Sequence, residues 1–138
     1  MNTLDVNMSL AELFVRLFLG IILIFQGYDK LFVVKIKNVV SMFNSDSSKK
    51  NIPHSLVVFT SYFTSIIECF GGLLLIIGLF HQEVLILTSI SLLIVTTGFS
   101  FLNPIWDLKH VFPRVLLVVI LFILTNHFYF GLDTIILK

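Results

Sequence analysis

"FTSIIECFGGLLLIIGLF", Phe63–Phe80, is the stretch whose reading decides the fold. It is long, apolar and almost free of charge, yet one carboxylate, Glu68, sits inside it. The rest of the chain tells which solvent such a run meets. Of 138 residues, 57% are hydrophobic and only 12% are charged, and the mean hydropathy is +1.04. A soluble domain carries about 25% charged residues. So few charges cannot cover a water-facing surface, and the simplest remaining solvent is lipid.

The same composition excludes other classes. A net charge of +1 gives no basic field for nucleic acid. The one cysteine, Cys69, cannot close an intrachain disulfide, form a Cys-x-x-Cys pair or build a cysteine-rich metal site. Asp5 and Glu12 precede the first basic residue, Arg16, which is the reverse of a signal peptide, so no cleavable signal is expected.

Crossing a bilayer by helix takes about 20 mostly apolar residues. Four stretches qualify, at about 10–32, 56–80, 84–102 and 111–132. Strands are excluded because the apolar runs do not alternate as barrel strands do, and helices satisfy their own backbone groups in lipid. The expected fold is all-α, an integral membrane four-helix bundle forming a single domain over 1–138. A polar loop at about 35–53 separates the first two helices, and "VVKIKNVVSMF" within it reads as a helix continuation or a short interfacial helix. The connection "FHQE" is so short that helices two and three must be antiparallel neighbours. The third connection holds Trp106 beside Asp107, as in an aromatic belt, or as a plain loop residue. Lys30, Lys35, Lys37, Lys49, Lys50, Lys109 and Arg114 flank the first and third loops. The positive-inside rule then puts both termini outside.

Polar residues inside the spans mark the candidate site. Arg16, Gly20, Gly27 and Lys30 form one stripe, at about 0°, 40°, 20° and −40° on a helix. Ser61, Thr64, Ser65, Glu68 and Gly72 share a face of helix two, within about 50° of its centre. Small and hydroxyl residues let helices approach closely, so this face points into the bundle. Arg114 lies one turn after His110 near the start of helix four. Glu68 is about 18 Å from either end of helix two, with Arg16 entering about 9 Å from one surface and Arg114 about 5 Å from the other. A charge at mid-bilayer costs about 3 kcal/mol. Glu68 is therefore either paired with a basic residue or protonated through desolvation. The expected cluster is Arg16, Lys30, Glu68 and Arg114, with snorkelling to the interfaces as the alternative for Arg16 and Lys30. His54, His81 and His127 read as interfacial or packing residues, and no pair of them has metal-ligand spacing. Cys69 points about 100° away from Glu68 and reads as a packing residue.

Taken together, the pieces "LFVRLFLGIILIFQGYDKLF", "IIECFGGLLLIIGLF" and "YFGLDTIIL" resemble the DoxX family of small four-helix membrane proteins. Arg16, Gly20, Gly27, Lys30, Glu68, Gly71, Gly72 and Gly78 carry most of the resemblance, and "PIWDLKHVFPRVLLV" adds to it. It implies that Gly20, Gly27, Gly71, Gly72 and Gly78 serve helix packing. It also implies a link to redox chemistry, since some members are membrane subunits tied to quinone reduction or partners of redox-protective enzymes. "HFYFGLD" lacks the Gly-x-Gly pattern and the serine often seen before the family's aspartate, and the polar loop is longer than in compact members.

Three readings follow. The first is a membrane subunit of a quinone-linked oxidoreductase, in which the polar cluster holds a quinone headgroup or an anion. No cofactor motif is visible, so any flavin, haem or metal would sit on a soluble oxidoreductase partner. The second is a small proton- or solute-coupled transporter, for which four helices would need a homo-oligomer. The third is a structural assembly protein of the bilayer.

Overall fold

The computed structural model describes residues 3–41, 51–102 and 108–136, and the described residues form helices and turns without a strand. α1 runs from Thr3 to Tyr28 and continues through a π-helical turn, Asp29–Val33. α2 comprises His54–Ile66, a second π-turn at Ile67–Gly71, and Gly72–Ile77. α3 is His81–Leu102. α4 is Leu108–Leu124, tightened at its end into a 3-10 turn, Thr125–His127. A last short helix, α5, is Leu132–Ile136. Among the described residues, four helices are long and apolar enough to cross a membrane.

Side chains are arranged for lipid, not water. Phe14 (70% exposed) and Ile123 (71%) stand on the outside, with Phe25, Phe59 and Phe112. Glu12, Arg16, Glu68, His81 and Arg114 are buried. A fold with charge inside and phenylalanine outside is stable only where the outside is apolar. Between the polar levels lies a core of Leu19, Leu23, Leu75, Val84, Leu85, Val118 and Leu121.

α1 and α2 are the closest pair, and glycine makes this approach feasible. A Cβ added at Gly20 would lie 2.8 Å from the Gly72 carbonyl oxygen, and one at Gly72 would lie 2.7 Å from that of Gly20. At Gly27 it would lie 2.7 Å from the Cys69 Cα. Real side chains do not fit at such distances, so these three glycines bring backbone against backbone.

α2 ends earlier than the apolar run does. Gly78 takes φ 72°, the left-handed value, while its N–H and that of Leu79 return to Leu75 and Leu74. This is a glycine C-cap, and it stops the helix inside a sequence that hydropathy alone extends to Phe80. α1 separates from the segment at 36–41 at Lys35, which also has positive φ (66°). That segment is a short helix of its own, with Ile36 and Val40 packed on Val57. The polar stretch 42–50 and the Trp106–Asp107 pair, expected as a loop and an interface anchor, lie outside the described residues.

Candidate functional site

The structure sorts the intramembrane charges into two clusters at different depths. The first centres on Glu68. Lys30 Nζ donates to Oε2 at 2.5 Å, and Arg114 Nη1 donates to Oε1 at 3.2 Å. One carboxylate thus joins cations from α1 and α4. The Glu68 side chain is 1% exposed and that of Arg114 6%, whereas Lys30 keeps 29%.

Both π-turns of the described chain belong to this cluster. Lys30 lies in Asp29–Val33 and Glu68 in Ile67–Gly71. In the first, Val34 N–H reaches back five residues to Asp29 O at 2.7 Å. A π-turn places an extra residue in the helix, widens it and re-aims its side chains, and such turns recur at functional sites. Here Lys30 and Glu68, one in each turn, meet at 2.5 Å.

Arg16, expected beside Glu68, is elsewhere. It pairs with Glu12 one turn back, Nε to Oε1 at 3.1 Å. Nη1 donates to the carbonyls of Leu75 and Ile76 at 2.6 and 3.3 Å, and Nη2 donates to Phe130 O. Its guanidinium lies over the Phe128 ring, 5.2 Å from the centroid. The physical reason is the end of α2. The last carbonyls of a helix have no partner in the helix, and the C-terminus carries partial negative charge. A fixed guanidinium fork satisfies both demands.

Asp133 completes this second cluster from the C-terminal segment. Its carboxylate accepts the N–H groups of Phe80 and His81 at 3.0 and 2.9 Å, capping the start of α3. Arg16 thus caps the end of α2 while Asp133 caps the start of α3. Gly78 lies between them, where a Cβ would lie 2.6 Å from Arg16 Nη1. His81 stacks on Phe128 with centroids 4.2 Å apart, and its Nε2 is 3.9 Å from Glu12 Oε1.

Sequence reasoning did not connect Glu12, His81 or Asp133 with Arg16. The i,i+4 spacing of Glu12 and Arg16 was a readable signal. Asp133 had only its place in "YFGLD", and no pattern tied it to a loop 52 residues earlier. Among the packing glycines, Gly20, Gly27 and Gly72 lie at backbone contacts, Gly78 at the helix cap, and Gly71 faces α3 with ordinary room. No group of three or more metal-ligating side chains occurs among the described residues.

The first cluster has chemistry to offer, and the second serves mainly to hold helix ends. A carboxylate bridged to two cations in a low-dielectric interior can bind an oxygen that carries negative charge, or pass a proton to it.

A family model, DoxX, matches residues 11–102, about two thirds of the chain. Comparisons with curated proteins and with solved structures gave no match. Lys30 and Glu68 lie within the matched stretch.

Proposed function

The chain belongs to the DoxX family and is a multi-pass integral membrane protein, and from that premise we propose that it is the membrane subunit of a quinone-linked oxidoreductase. The carrying observation is the Lys30–Glu68–Arg114 trio, two cations on one buried carboxylate. A quinone dissolves in the bilayer, so a site reached from lipid suits it. Its reduction adds two electrons and two protons, and the oxygens carry negative charge on the way. Arg114, held by the bundle, would steady that charge. Lys30, the more exposed cation, has the freedom to leave Glu68 and meet the headgroup. Glu68 would then exchange a proton with the ligand oxygen. Electrons would come from a soluble partner subunit.

The test is purification in mild detergent with identification of co-purifying proteins, followed by titration with a short-tailed quinone. A soluble oxidoreductase in the complex and saturable quinone binding, weakened by Glu68→Gln, would support the reading. A chain that binds no quinone alone or in complex refutes it. A proton- or solute-coupled transporter could use the same carboxylate. Flux in proteoliposomes that depends on Glu68, without quinone binding, would favour that second reading.

A further inference from the structure

Hydroxyl side chains in apolar helices normally donate to a carbonyl one turn back. This protein follows that habit. Ser61, Ser65, Ser89, Thr96 and Thr125 donate to carbonyls four residues earlier, at 2.7 to 2.9 Å. Thr88 and Ser91 depart from it. Each is only 1% exposed, and neither hydroxyl oxygen has a hydrogen-bond partner among the described residues. A buried hydroxyl left unpaired is destabilising, so two of them one turn apart on α3 need an explanation.

Their level supplies one. A Cβ built at Gly71 would lie 3.5 Å from Thr88 Oγ1, which sets Gly71 of α2 opposite Thr88 of α3. The two helices are antiparallel. One turn back from Gly71 is Glu68, and one turn on from Thr88 is Ser91. Ser91 is therefore level with the carboxylate of the charged trio.

Gly71 adds a second, independent sign. Added Cβ atoms at Gly20, Gly27 and Gly72 would collide with backbone, but at Gly71 the nearest atoms are 3.5, 3.6 and 3.8 Å away. Packing does not demand a glycine there. Its absent side chain leaves a methyl-sized space directly beside the Thr88 hydroxyl.

We propose that Thr88 and Ser91 form the hydrogen-bonding wall of the Glu68 site. This rests on the quinone reading and narrows its ligand. The hydroxyls donate to an oxygen on the headgroup edge opposite the one held by Lys30 and Arg114. The site thus fits a neutral ring with oxygens at two edges, such as a para-quinone. A small inorganic anion would be satisfied by the two cations alone.

The experiment compares wild type, Thr88→Val, Ser91→Ala and Gly71→Ala as full chains in nanodiscs. Thermal midpoint without ligand and affinity for a short-tailed para-quinone are both measured, with sulfate as the anionic control. Each hydroxyl variant should weaken quinone binding about 5- to 10-fold, the scale of one hydrogen bond. Sulfate binding should be unchanged, and the ligand-free midpoint equal to or above that of wild type. Gly71→Ala should weaken quinone binding by filling the space beside the Thr88 hydroxyl with a methyl. Ser91→Ala changes volume least and decides the matter if Thr88→Val does not fold. Wild type that binds quinone with the same affinity as all the variants overturns the wall but leaves the quinone reading standing. Variants with lower midpoints and unchanged affinity make the hydroxyls structural and overturn it too. Wild type that binds no quinone ends both.

Discussion

Neutralising Glu68 is the sharpest perturbation of the charged trio. Glu68→Gln keeps the shape of the side chain but leaves Lys30 and Arg114 facing an uncharged amide. Breaking a buried pair costs about 3–5 kcal/mol, because the surviving charge stays desolvated. The two contacts do not weigh equally. Arg114 is 6% exposed, so its guanidinium stays largely desolvated. Lys30, at 29%, can turn outward, so its share is well below the buried-pair figure. A loss of about 3 kcal/mol is expected, carried mainly by Arg114. Adding Arg114→Met to Glu68→Gln should return about 1–3 kcal/mol of the summed single losses, the coupling of contacting residues. The same cycle with Arg16→Met should be additive, since Arg16 contacts Glu12 and the α2 carbonyls instead. Reversible unfolding in mixed micelles, followed by helical circular dichroism, gives all four corners. Glu68→Gln as stable as wild type, or additivity with Arg114, refutes the pairing on which the site rests.

Other expectations follow from individual contacts. Gly72→Ala places a methyl 2.7 Å from the Gly20 carbonyl oxygen and should cost about 1–3 kcal/mol by overpacking, read as a lower thermal midpoint in detergent. Asp133→Ala removes the cap on α3 and should cost about 0.5–2 kcal/mol, with Asp133→Asn costing less; the same unfolding assay ranks them. Reporter fusions at the two ends should report the same side of the membrane, as an even number of spans requires. From the distribution of lysine and arginine, that side is expected to be the outside.

The spans were readable in the sequence because span length and apolarity are local properties. Glu68 was readable as the centre of a charged cluster for the same reason, being a charge where none belongs. Arg16 was assigned to the wrong partner through depth and phase. Taking helix two to Phe80 set Glu68 midway along it, where arginines entering from either surface could approach it. The left-handed Gly78 ends α2 at Ile77, and the ring of carbonyls exposed there takes Arg16 first. Lys30 and Arg16 do share a stripe on a straight helix, but 14 residues make about 21 Å, so one stripe serves two depths. The π-turns were not legible at all. An extra residue in a helix leaves no mark in composition or periodicity when its neighbours are uniformly apolar. Thr88 and Ser91 were invisible for a different reason. Membrane helices are rich in hydroxyl residues, and only coordinates tell which of them return to their own backbone.

The π-turn in α2 makes the site hang on chain length as well as on residue type. Such a turn is a helix with one residue too many. Phe70, 60% exposed and turned outward, is that turn's most dispensable member. Deleting it would let Ile66–Gly72 close into ordinary α-helix. Because the turn absorbs the extra residue, the helix on either side would keep its face, and the change in direction would fall on the residues of the turn itself, Glu68 among them. With Gly72 held against Gly20, Glu68 would swing off the bundle axis while its identity and its neighbours in sequence stayed the same. The charged trio would come apart without the loss of a single charged residue.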